Sequence, residues 1–311
     1  MKAGMEGGRG EGSVSIVVPT FDRLDYLRPA LDSVFAQTWT DWDLIIADDG
    51  SGEELRAYLR QFDHRPRVKV LKLAHTGIPA AVRNAGVREA TGAYVAFLDS
   101  DDLWAPRKLE RQIAAMRARP SCRWSYTAFL RVDRHGNVLG EERHRPWHPH
   151  EGAIFGQLVT GQASVRTPSV LVARDLLSEV GGFDESIRSC EDYDLWMRFA
   201  LRSPVAIVDE PLVHVRFHDC NHALDWAAAF HGRERSLVKL HEHVDPSLRP
   251  LLGRERARNA AGLIAEHATR GERQPALAAL LNSVPHAWRY PEWWTRTLRA
   301  TARICLPIDR R

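Results

Sequence analysis

Cysteine is scarce in this sequence, and its thiols are widely spaced. The four cysteines are Cys122, Cys190, Cys220 and Cys305, and no two of them form a CxxC pair. This spacing argues against a disulfide framework and against a zinc ribbon. We therefore expect free thiols in a reducing cytoplasm.

Long apolar runs and a strong excess of one charge are also missing. No run approaches the roughly 18 apolar residues of a membrane-spanning helix. The glycine-rich residues 1–12 lack the apolar core of a signal peptide and are expected to form a flexible tail. The formal net charge is only +3, which gives no reason to expect a basic face for nucleic acid. These absences predict a cytoplasmic protein with no nucleic-acid partner.

Three well-known catalytic or nucleotide-binding signatures are absent as well. There is no GxxxxGK[ST] phosphate loop and no GxSxG nucleophile turn. The glycines at 7–12 precede the first strand pattern, so they cannot form the turn of a dinucleotide-binding βαβ unit.

The first half of the sequence contains alternating strand and helix patterns. Apolar and β-branched runs predict strands at Val14–Val18, Leu44–Ala47, Val68–Leu73 and Tyr94–Leu98. Helical spacing follows each of the first three runs, and another helix is predicted from Pro106 to about Arg119. This alternation is typical of an α/β fold with a mainly parallel sheet, in which ligands bind beyond the carboxyl ends of the strands.

The rest of the chain predicts a less regular sheet and then helices alone. Further strands are predicted at Trp124–Val132, Ser169–Ala173, Val205–Val208 and Leu212–Phe217, with a loop at Glu141–Gln162 and a helix at Glu191–Leu201. From Ala223 onward the pattern is only helical. We divide the chain into a tail (1–12), an α/β domain (13–222) and a C-terminal helical region (223–311).

Asp99-Ser100-Asp101 is the main chemical signal. Two carboxylates one residue apart, directly after a buried strand, can reach a single ligand. Mg²⁺ and Mn²⁺ prefer oxygen ligands and commonly take one or two carboxylates together with substrate phosphate oxygens. The alternative is an acidic cluster that caps a helix, because Asp102 precedes a helical pattern. The position after a strand, together with the other motifs, favours the metal.

Five short segments occur in an order that points to one enzyme family. They are SIVVPTFD (15–22), ADDGS (47–51), RNAG (83–86), FLDSDD (97–102) and GGFD followed by ED (181–184 and 191–192). Together they closely resemble the pattern of glycosyltransferase family 2 on a GT-A fold, over roughly residues 13–220. The resemblance implies a Rossmann-like domain that transfers a sugar, with inversion, from a nucleoside diphosphate sugar to a hydroxyl group.

The resemblance also implies roles for matching residues at the strand ends. Those expected to contact the nucleotide sugar are Pro19, Thr20, Phe21, Asp48, Asp49, Arg83, Asp99 and Ser100. Asp49 would accept from the N–H of a uracil-like ring, which favours a UDP-linked donor. The alternatives are an ordinary β–α turn at Asp48-Asp49 and a solvent-facing helix arginine at Arg83. Asp101 would hold the divalent metal, Mn²⁺ or Mg²⁺.

A second group of expectations concerns the acceptor side. Glu191-Asp192 resembles the acidic pair of the family at a helix start, with Asp192 as general base and Glu191 as its support. The alternative is an acidic first turn that complements the helix dipole. His218 is expected near the diphosphate or metal, as a ligand or hydrogen-bond partner, with a plain loop histidine as the alternative.

The acceptor itself is expected to be a carbohydrate or a lipid-linked carbohydrate. Trp288, Tyr290, Trp293 and Trp294 precede several arginines near the end of the chain. Such a segment fits either a helix lying peripherally on the inner face of a membrane or a helix that packs its tryptophans inside the protein.

Two other functions compete with a transferase. One is a nucleotide-sugar-binding module that has lost catalysis, and the presence of Asp192 argues against it. The other is a sugar-phosphate nucleotidylyltransferase, which would need a glycine-rich N-terminal loop with basic residues that this sequence lacks.

Overall fold

The computed structural model describes residues 10–139, 148–217 and 225–305, with the side chains of 301–305 left out. The chain forms two compact units. One comprises Met1–Ser186 and Leu195–Asn221, and the other comprises Ile187–Asp194 and His222–Arg311.

The first unit is built from strands and helices that mostly alternate. In chain order they are β1 (Val14–Thr20), α1 (Leu24–Phe35), β2 (Trp42–Asp48), α2 (Glu53–Leu59), β3 (Val68–Lys72), α3 (Pro79–Glu89), β4 (Tyr94–Phe97), β5 (Leu103–Trp104), α4 (Lys108–Ala118), β6 (Trp124–Val132), α5 (Phe155–Val159), β7 (Leu171–Ala173), α6 (Arg174–Glu179), α7 (Glu191–Ala200) and β8 (Val205–Arg216). The first turn of α7 belongs to the second unit.

The eight strands of the described residues join one sheet in the order β3-β2-β1-β4-β7-β6-β8-β5. The first four are mutually parallel, and the mixed remainder contains antiparallel pairs at β4–β7, β7–β6 and β8–β5. β1 lies between β2 and β4, so the strand order reverses there. A reversal of this kind opens a crevice at the carboxyl ends of the strands, where α/β proteins bind ligands.

The core explains why the sequence pattern predicted these elements well. β1 is buried over almost its whole length. On α1 the fully buried side chains are Leu27, Ala30, Leu31 and Val34, which repeat every three or four residues. They pack into one apolar cluster with β1, β2 and α4. The expected α/β fold with a mainly parallel sheet is confirmed.

Two details of the prediction are wrong. The two strands expected at Val205–Val208 and Leu212–Phe217 are one strand, β8, whose register against β6 shifts around Ala128. A bulge there takes up the intervening Asp209-Glu210, which broke the apolar pattern in the sequence. The segment expected as a loop up to Gln162 contains the short helix α5 in its described part. The two-residue strand β5 is too short to leave a pattern.

The second unit consists mainly of helices, as expected for the C-terminal region. They are α8 (Trp226–His243), α9 (Arg249–Thr269), α10 (Arg273–Ala287) and α11 (Pro291–Cys305). α9 packs against each of the other three. Its buried face is rich in alanine, and Trp293 of α11 fills the centre, with its indole N–H donating to Ser283 Oγ at 3.0 Å. No helix among the described residues is long and apolar enough to span a membrane.

The tryptophans of the C-terminal segment differ in their exposure. Trp293 is only 2% exposed and packs inside the helical unit, whereas Trp288 and Trp294 are 49% and 45% exposed. Trp294 donates its indole N–H to the carbonyl of Trp288 at 2.7 Å, so the exposed pair is held together.

Candidate active site

Polar side chains gather where β1, β2 and β4 end. The register places Thr20 of β1 opposite Asp48 of β2, and Val17 opposite Phe97 of β4. Two backbone bonds continue the ladder past the strands, from Asp49 N to the Thr20 carbonyl at 2.9 Å and from Leu98 N to the Val17 carbonyl at 3.0 Å. The loops that follow these strands therefore share one edge of the sheet, which we call the rim.

The loop after β1 is tied to the loop after β2 by reciprocal hydrogen bonds. Asp22 N donates to Ser51 Oγ at 3.0 Å, and Gly52 N donates to Asp22 Oδ1 at 2.7 Å. Asp22 has a φ of +46°, in the left-handed region where aspartate is tolerated. These contacts fix the direction in which Arg23 leaves the loop.

Arg23 reaches across to the loop after β4. Its Nη1 lies 2.5 Å from Asp101 Oδ2, and the two side chains are 22% and 15% exposed. The carboxylate expected to hold a metal is thus ion-paired and still accessible to solvent. A partly exposed carboxylate with one accessible side is suited to share a hard cation with substrate oxygens.

A second arginine, on α3, forms an ion pair with the loop after β4. Arg83 Nη2 lies 2.7 Å from Asp99 Oδ1, and the arginine side chain is only 8% exposed. The guanidinium also lies over the ring of Phe183, 5.4 Å from its centroid. Arg83 is therefore buried at the rim, which excludes the solvent-facing alternative.

The rest of the RNAG segment positions this arginine. Asn84 binds the backbone of Phe183 on both sides, donating from Nδ2 to the carbonyl at 2.9 Å and accepting from the amide at 3.0 Å. Gly86 lies against β1 so closely that a Cβ atom there would be 2.4 Å from Val17 Cγ1. The segment thus fixes α3 to β1 and to the GGFD turn.

Asp48 and Asp49 are buried, and loop backbone satisfies their carboxylates. Asp48 Oδ1 accepts from Ser51 N at 3.0 Å. Asp49 accepts from Thr76 N and Gly77 N, each at 2.9 Å. The contact of Asp48 belongs to a β–α turn. Asp49 instead binds the loop after β3, the fourth strand of the parallel part of the sheet.

An aromatic pair stands beside Asp49. The rings of Phe21 and His75 are stacked, with centroids 4.2 Å apart, and Phe21 is 41% exposed. His75 Nδ1 also lies 2.9 Å from the Asp49 carbonyl. Of the other residues predicted to bind nucleotide, Pro19 and Thr20 end β1 and Ser100 lies in the loop after β4, with Thr20 and Ser100 buried.

The contacts of Asp102 indicate a structural role for this residue, not a role as a metal ligand. Its Oδ1 accepts from the backbone N–H of Arg216 at 2.7 Å, which joins the rim to the end of β8. Burial raises the pKa of Asp102 well above its usual value, and the neighbouring Asp101 and Asp99 raise it further. Asp102 is 4% exposed and structural.

The residues expected on the acceptor side do not belong to the loops that form the rim. Glu191 and Asp192 form the first turn of α7, as predicted, in the segment that packs with the C-terminal helices. Asp192 Oδ1 accepts from Tyr193 N at 2.7 Å. His218 lies outside the described residues.

The rim carries a donor set that suits a divalent cation. Asp101 and Asp99 supply carboxylate oxygens, which Mg²⁺ and Mn²⁺ prefer. No group of three or more acidic, histidine or cysteine side chains converges on one point within residues 10–139, 148–217 and 225–305. Two carboxylates are a number that Mg²⁺ commonly takes together with substrate phosphate oxygens, so these residues are compatible with such a cation.

Several rim residues escaped the sequence-based prediction. Ser51 and Asn84 belong to the quoted motifs and Arg23 directly follows one, but the sequence assigns none of them a role. His75-Thr76-Gly77 follows β3 as the other polar clusters follow their strands, and this position was the one available signal for it.

Comparison with known proteins shows similarity to glycosyltransferases. The pattern of the family described as Glycosyl transferase family 2 matches residues 15–161. An uncharacterized glycosyltransferase of Rickettsia felis is 31% identical over 203 residues, which cover 65% of this chain and 33% of that protein. The putative teichuronic acid biosynthesis glycosyltransferase TuaG of Bacillus subtilis is 37% identical over 134 residues, covering 43% and 53%.

Solved structures share the fold at low sequence identity. TarS residues 1–349 of S. aureus, in complex with UDP-GlcNAc, has a TM-score of 0.69 at 17% identity, covering 94% of this chain and 88% of that one. The mannosyltransferase PcManGT of Pyrobaculum calidifontis, in complex with GDP-Man and Mn²⁺, has a TM-score of 0.59 at 17% identity, covering 94% and 84%. These likenesses support the GT-A fold.

The chain spans about a third of the length of the first curated relatives that it matches. The match to the family nevertheless includes the ends of β1, β2 and β4 and the RNAG segment. Residues 15–161 therefore match the glycosyltransferase family 2 pattern, and the structure has a GT-A fold.

Proposed function

We propose that this protein transfers a sugar from a nucleoside diphosphate sugar to a hydroxyl group of an acceptor. The observation that carries the proposal is the rim, where Arg83–Asp99 and Arg23–Asp101 stand side by side beyond three parallel strands. Arginines bind phosphate oxygens well, and carboxylates bind ribose hydroxyls or a metal. Such a mixture suits a diphosphate joined to a sugar better than it suits an uncharged ligand.

We propose UDP as the nucleotide part of the donor. The motivation is Asp49, whose carboxylate can accept from the imide N–H of uracil, next to the exposed ring of Phe21. His75 Nδ1 is also 3.1 Å from Asp49 Oδ2 and is the contact that a base could replace. The structure of TarS with UDP-GlcNAc gives a precedent for such a donor on this fold.

We further propose that the transfer uses Mn²⁺ or Mg²⁺ held through Asp101. A bound cation would supply positive charge that neutralises the departing diphosphate. Arg23, paired with Asp101, and Arg83, paired with Asp99, are the protein cations placed to bind the phosphate oxygens. The presence of Mn²⁺ in the PcManGT complex is the precedent on this fold.

The acceptor hydroxyl needs a base if the sugar configuration is to invert. We assign this role to Asp192, at the start of α7, with Glu191 beside it. His218 is proposed to contact the diphosphate or the metal.

We propose a carbohydrate or lipid-linked carbohydrate as acceptor and a cytoplasmic location. Teichuronic acid biosynthesis is the function in the name of the relative TuaG. The exposed pair Trp288 and Trp294 offers a contact for the inner face of a membrane. The described cysteines Cys122 and Cys190 are free thiols, as the cytoplasm would keep them.

A screen of nucleotide sugars tests the central proposal. The full chain is incubated with Mn²⁺ and each of several UDP-, GDP- and CDP-linked sugars, and release of the nucleoside diphosphate is measured. We expect turnover of one donor class. Failure to turn over any donor while UDP still binds would favour the inactive binding module. Formation of a nucleotide sugar from a nucleoside triphosphate and a sugar phosphate would favour a nucleotidylyltransferase.

A further inference from the structure

A cavity of about 450 Å³ lies inside the C-terminal helical unit, between α8, α9 and α10. α9 packs against both α8 and α10. The wall includes Ala260 of α9 and Ala278 and Ala279 of α10, whose short side chains leave the space unfilled. The volume falls within the range of roughly 300–1,000 Å³ that small-molecule pockets occupy.

Two side chains that line the cavity, Glu234 and His286, each carry a buried and unsatisfied polar atom. Glu234 Oε1 accepts from Arg256 Nε at 2.9 Å and from Arg256 Nη2 at 2.7 Å. Among the described residues, Glu234 Oε2 and His286 Nε2 have no hydrogen-bond partner. His286 Nε2 lies 3.8 Å from Glu234 Oε1, so the two side chains stand together. A buried polar atom without a partner is unfavourable, so a hydrogen bond made to either atom would be a net gain.

The charges in the cavity favour a neutral ligand. Glu234 is already paired with Arg256, and no lysine or arginine lines the cavity in the part of the chain that the structure describes. Burial lowers the pKa of His286 and the charge of Arg256 lowers it further, against an opposing effect of Glu234, which favours the neutral imidazole. Among the described residues, the cavity wall offers a phosphate or nucleotide no lysine or arginine, whereas the rim contains Arg23 and Arg83.

The apolar part of the wall narrows the ligand class further. Phe230, Leu263 and Pro275 line the cavity together with the alanines. A purely apolar ligand would leave Glu234 Oε2 and His286 Nε2 unpaired, and a purely polar one would leave the aromatic wall uncovered. A sugar ring combines hydroxyl groups at its edge with C–H groups on its faces, and so matches both parts.

We propose that this cavity binds a neutral sugar residue, with hydroxyl groups hydrogen-bonded to Glu234 and His286 and a C–H face against the wall that includes Phe230. One hydroxyl donates to Glu234 Oε2, and another pairs with His286 Nε2. Binding here does not depend on the proposed transfer reaction, because only residues of the C-terminal helices line the cavity.

Saturation-transfer NMR on the full chain tests the proposal. The probes are methyl glucoside, methyl galactoside and N-acetylglucosamine, with glucose 1-phosphate as a charged comparison. We expect at least one neutral probe to bind with a Kd in the millimolar range. Ala278→Trp fills the cavity from an exposed position and should weaken that binding at least about tenfold. His286→Phe keeps the ring, removes the nitrogen, and should weaken binding less.

The matched control is Leu281→Trp, which adds the same bulky side chain to α10 at an exposed position that does not line the cavity. It should bind the probe as the unmodified protein does. Absence of saturation transfer to all three neutral probes, or equal signals before and after Ala278→Trp, would mean that the cavity holds only water and would overturn the proposal. Stronger binding of glucose 1-phosphate would overturn the neutral ligand class. UDP affinity, measured on the same samples, reports separately on the proposed donor site and should be unchanged in every variant.

Discussion

Arg23 and Asp101 form an ion pair, with 2.5 Å between Nη1 and Oδ2, that joins the loop after β1 to the loop after β4. The sequence separates these residues by 78 positions. Asp101 is the carboxylate that we propose to hold a divalent cation. A cation bound there would compete with the guanidinium for the same oxygen, and Arg23 would then be available to a phosphate group of the donor.

The first prediction concerns this pair. Asp101→Asn keeps the shape of the side chain and removes its charge, so Mn²⁺ should no longer strengthen UDP binding. We expect the gain in UDP affinity on adding Mn²⁺ to fall by at least about tenfold, equivalent to ~1.4 kcal/mol. Arg23→Gln removes the competing cation and should raise the affinity of the nucleotide-free protein for Mn²⁺. Calorimetric titrations of UDP and of Mn²⁺ alone measure both effects.

Asp63→Asn is the matched control, because Asp63 is exposed and lies outside the rim. It should behave as the unmodified protein does in both titrations. Full activity of Asp101→Asn in the presence of a chelator would remove the metal from the proposal.

The second prediction tests the close contact between α3 and β1. Gly86→Ala would place a Cβ atom 2.4 Å from Val17 Cγ1, in the core behind the rim. Overpacking of this kind typically destabilises by about 1–3 kcal/mol. Gly156→Ala is the control, since a Cβ atom there meets nothing within 4 Å. It should be neutral or stabilising by about 0.4–1 kcal/mol. Urea unfolding of both variants gives the comparison, and equal stabilities would contradict the packing argument.

The sequence was informative wherever function depends on short segments at strand ends. The apolar period identified β1, β2 and β4, and the topology of parallel sheets then placed Asp48, Asp99 and Asp101 at one edge. These inferences need only local patterns and one general rule about α/β sheets.

Partnerships between distant residues could not be predicted in the same way. Asn84 mimics a strand partner for Phe183, 99 positions away, and nothing in the motif indicates which backbone it binds. Likewise Asp49 satisfies the loop at Thr76-Gly77, a contact that depends on the order of β2 and β3 in the sheet. The bulge in β8 could not be predicted because Asp209-Glu210 interrupt the apolar sequence pattern, whereas the strand itself continues through them.

A third prediction follows from the buried Lys108. Its side chain is fully buried; Nζ lies 3.5 Å from the Val170 carbonyl and 4.1 Å from the Trp104 ring centroid. Burial lowers the pKa of Lys108 well below its usual value. Because the unfolded chain then binds the proton more tightly, stability should rise with pH between the lowered pKa and about 10.4, by at most about 1.36 kcal/mol per pH unit.

Lys108→Met removes the titrating group and should flatten this rise. At pH 7 the variant should be more stable than the unmodified protein, because it buries no lysine. This difference in stability should shrink as the pH increases to 10. Lys72→Met, at an exposed position, should leave the slope unchanged. Urea unfolding at several pH values measures the slopes, and a slope that survives Lys108→Met would assign it to another group.

The fourth prediction concerns the base of the donor. Asp49 is proposed to accept from the imide N–H of uracil, so UDP should bind more tightly than CDP or GDP. Asp49→Asn offers an N–H to the ring instead, which suits the acceptor nitrogen of cytosine. The ratio of UDP to CDP affinity should then fall by about tenfold or more, since leaving a buried partner unsatisfied costs about 1–3 kcal/mol. A clear preference of the unmodified protein for GDP would overturn the choice of uridine and leave the family assignment intact.

The last prediction concerns the general base. Asp192 lies in the first turn of α7, and Asp192→Asn would keep its size while removing its ability to take a proton from the acceptor. Loss of a general base typically lowers the rate about 10²–10⁴-fold. UDP affinity should be nearly unchanged, because the proposed donor contacts are at the ends of β1, β2 and β4.

Two measurements on one sample separate the base from a structural cap. Asp192 Oδ1 accepts from Tyr193 N, and an asparagine oxygen can still accept there, so Asp192→Asn should preserve both the thermal midpoint and the affinity for UDP. A large loss of transfer rate with both of these intact then belongs to the proton acceptor. Glu191→Gln is the matched comparison, since it removes the neighbouring charge from the same helical turn and should lower the rate less. If Glu191→Gln abolishes transfer and Asp192→Asn does not, the two roles are exchanged. If neither variant loses transfer, the base must be sought outside this acidic pair.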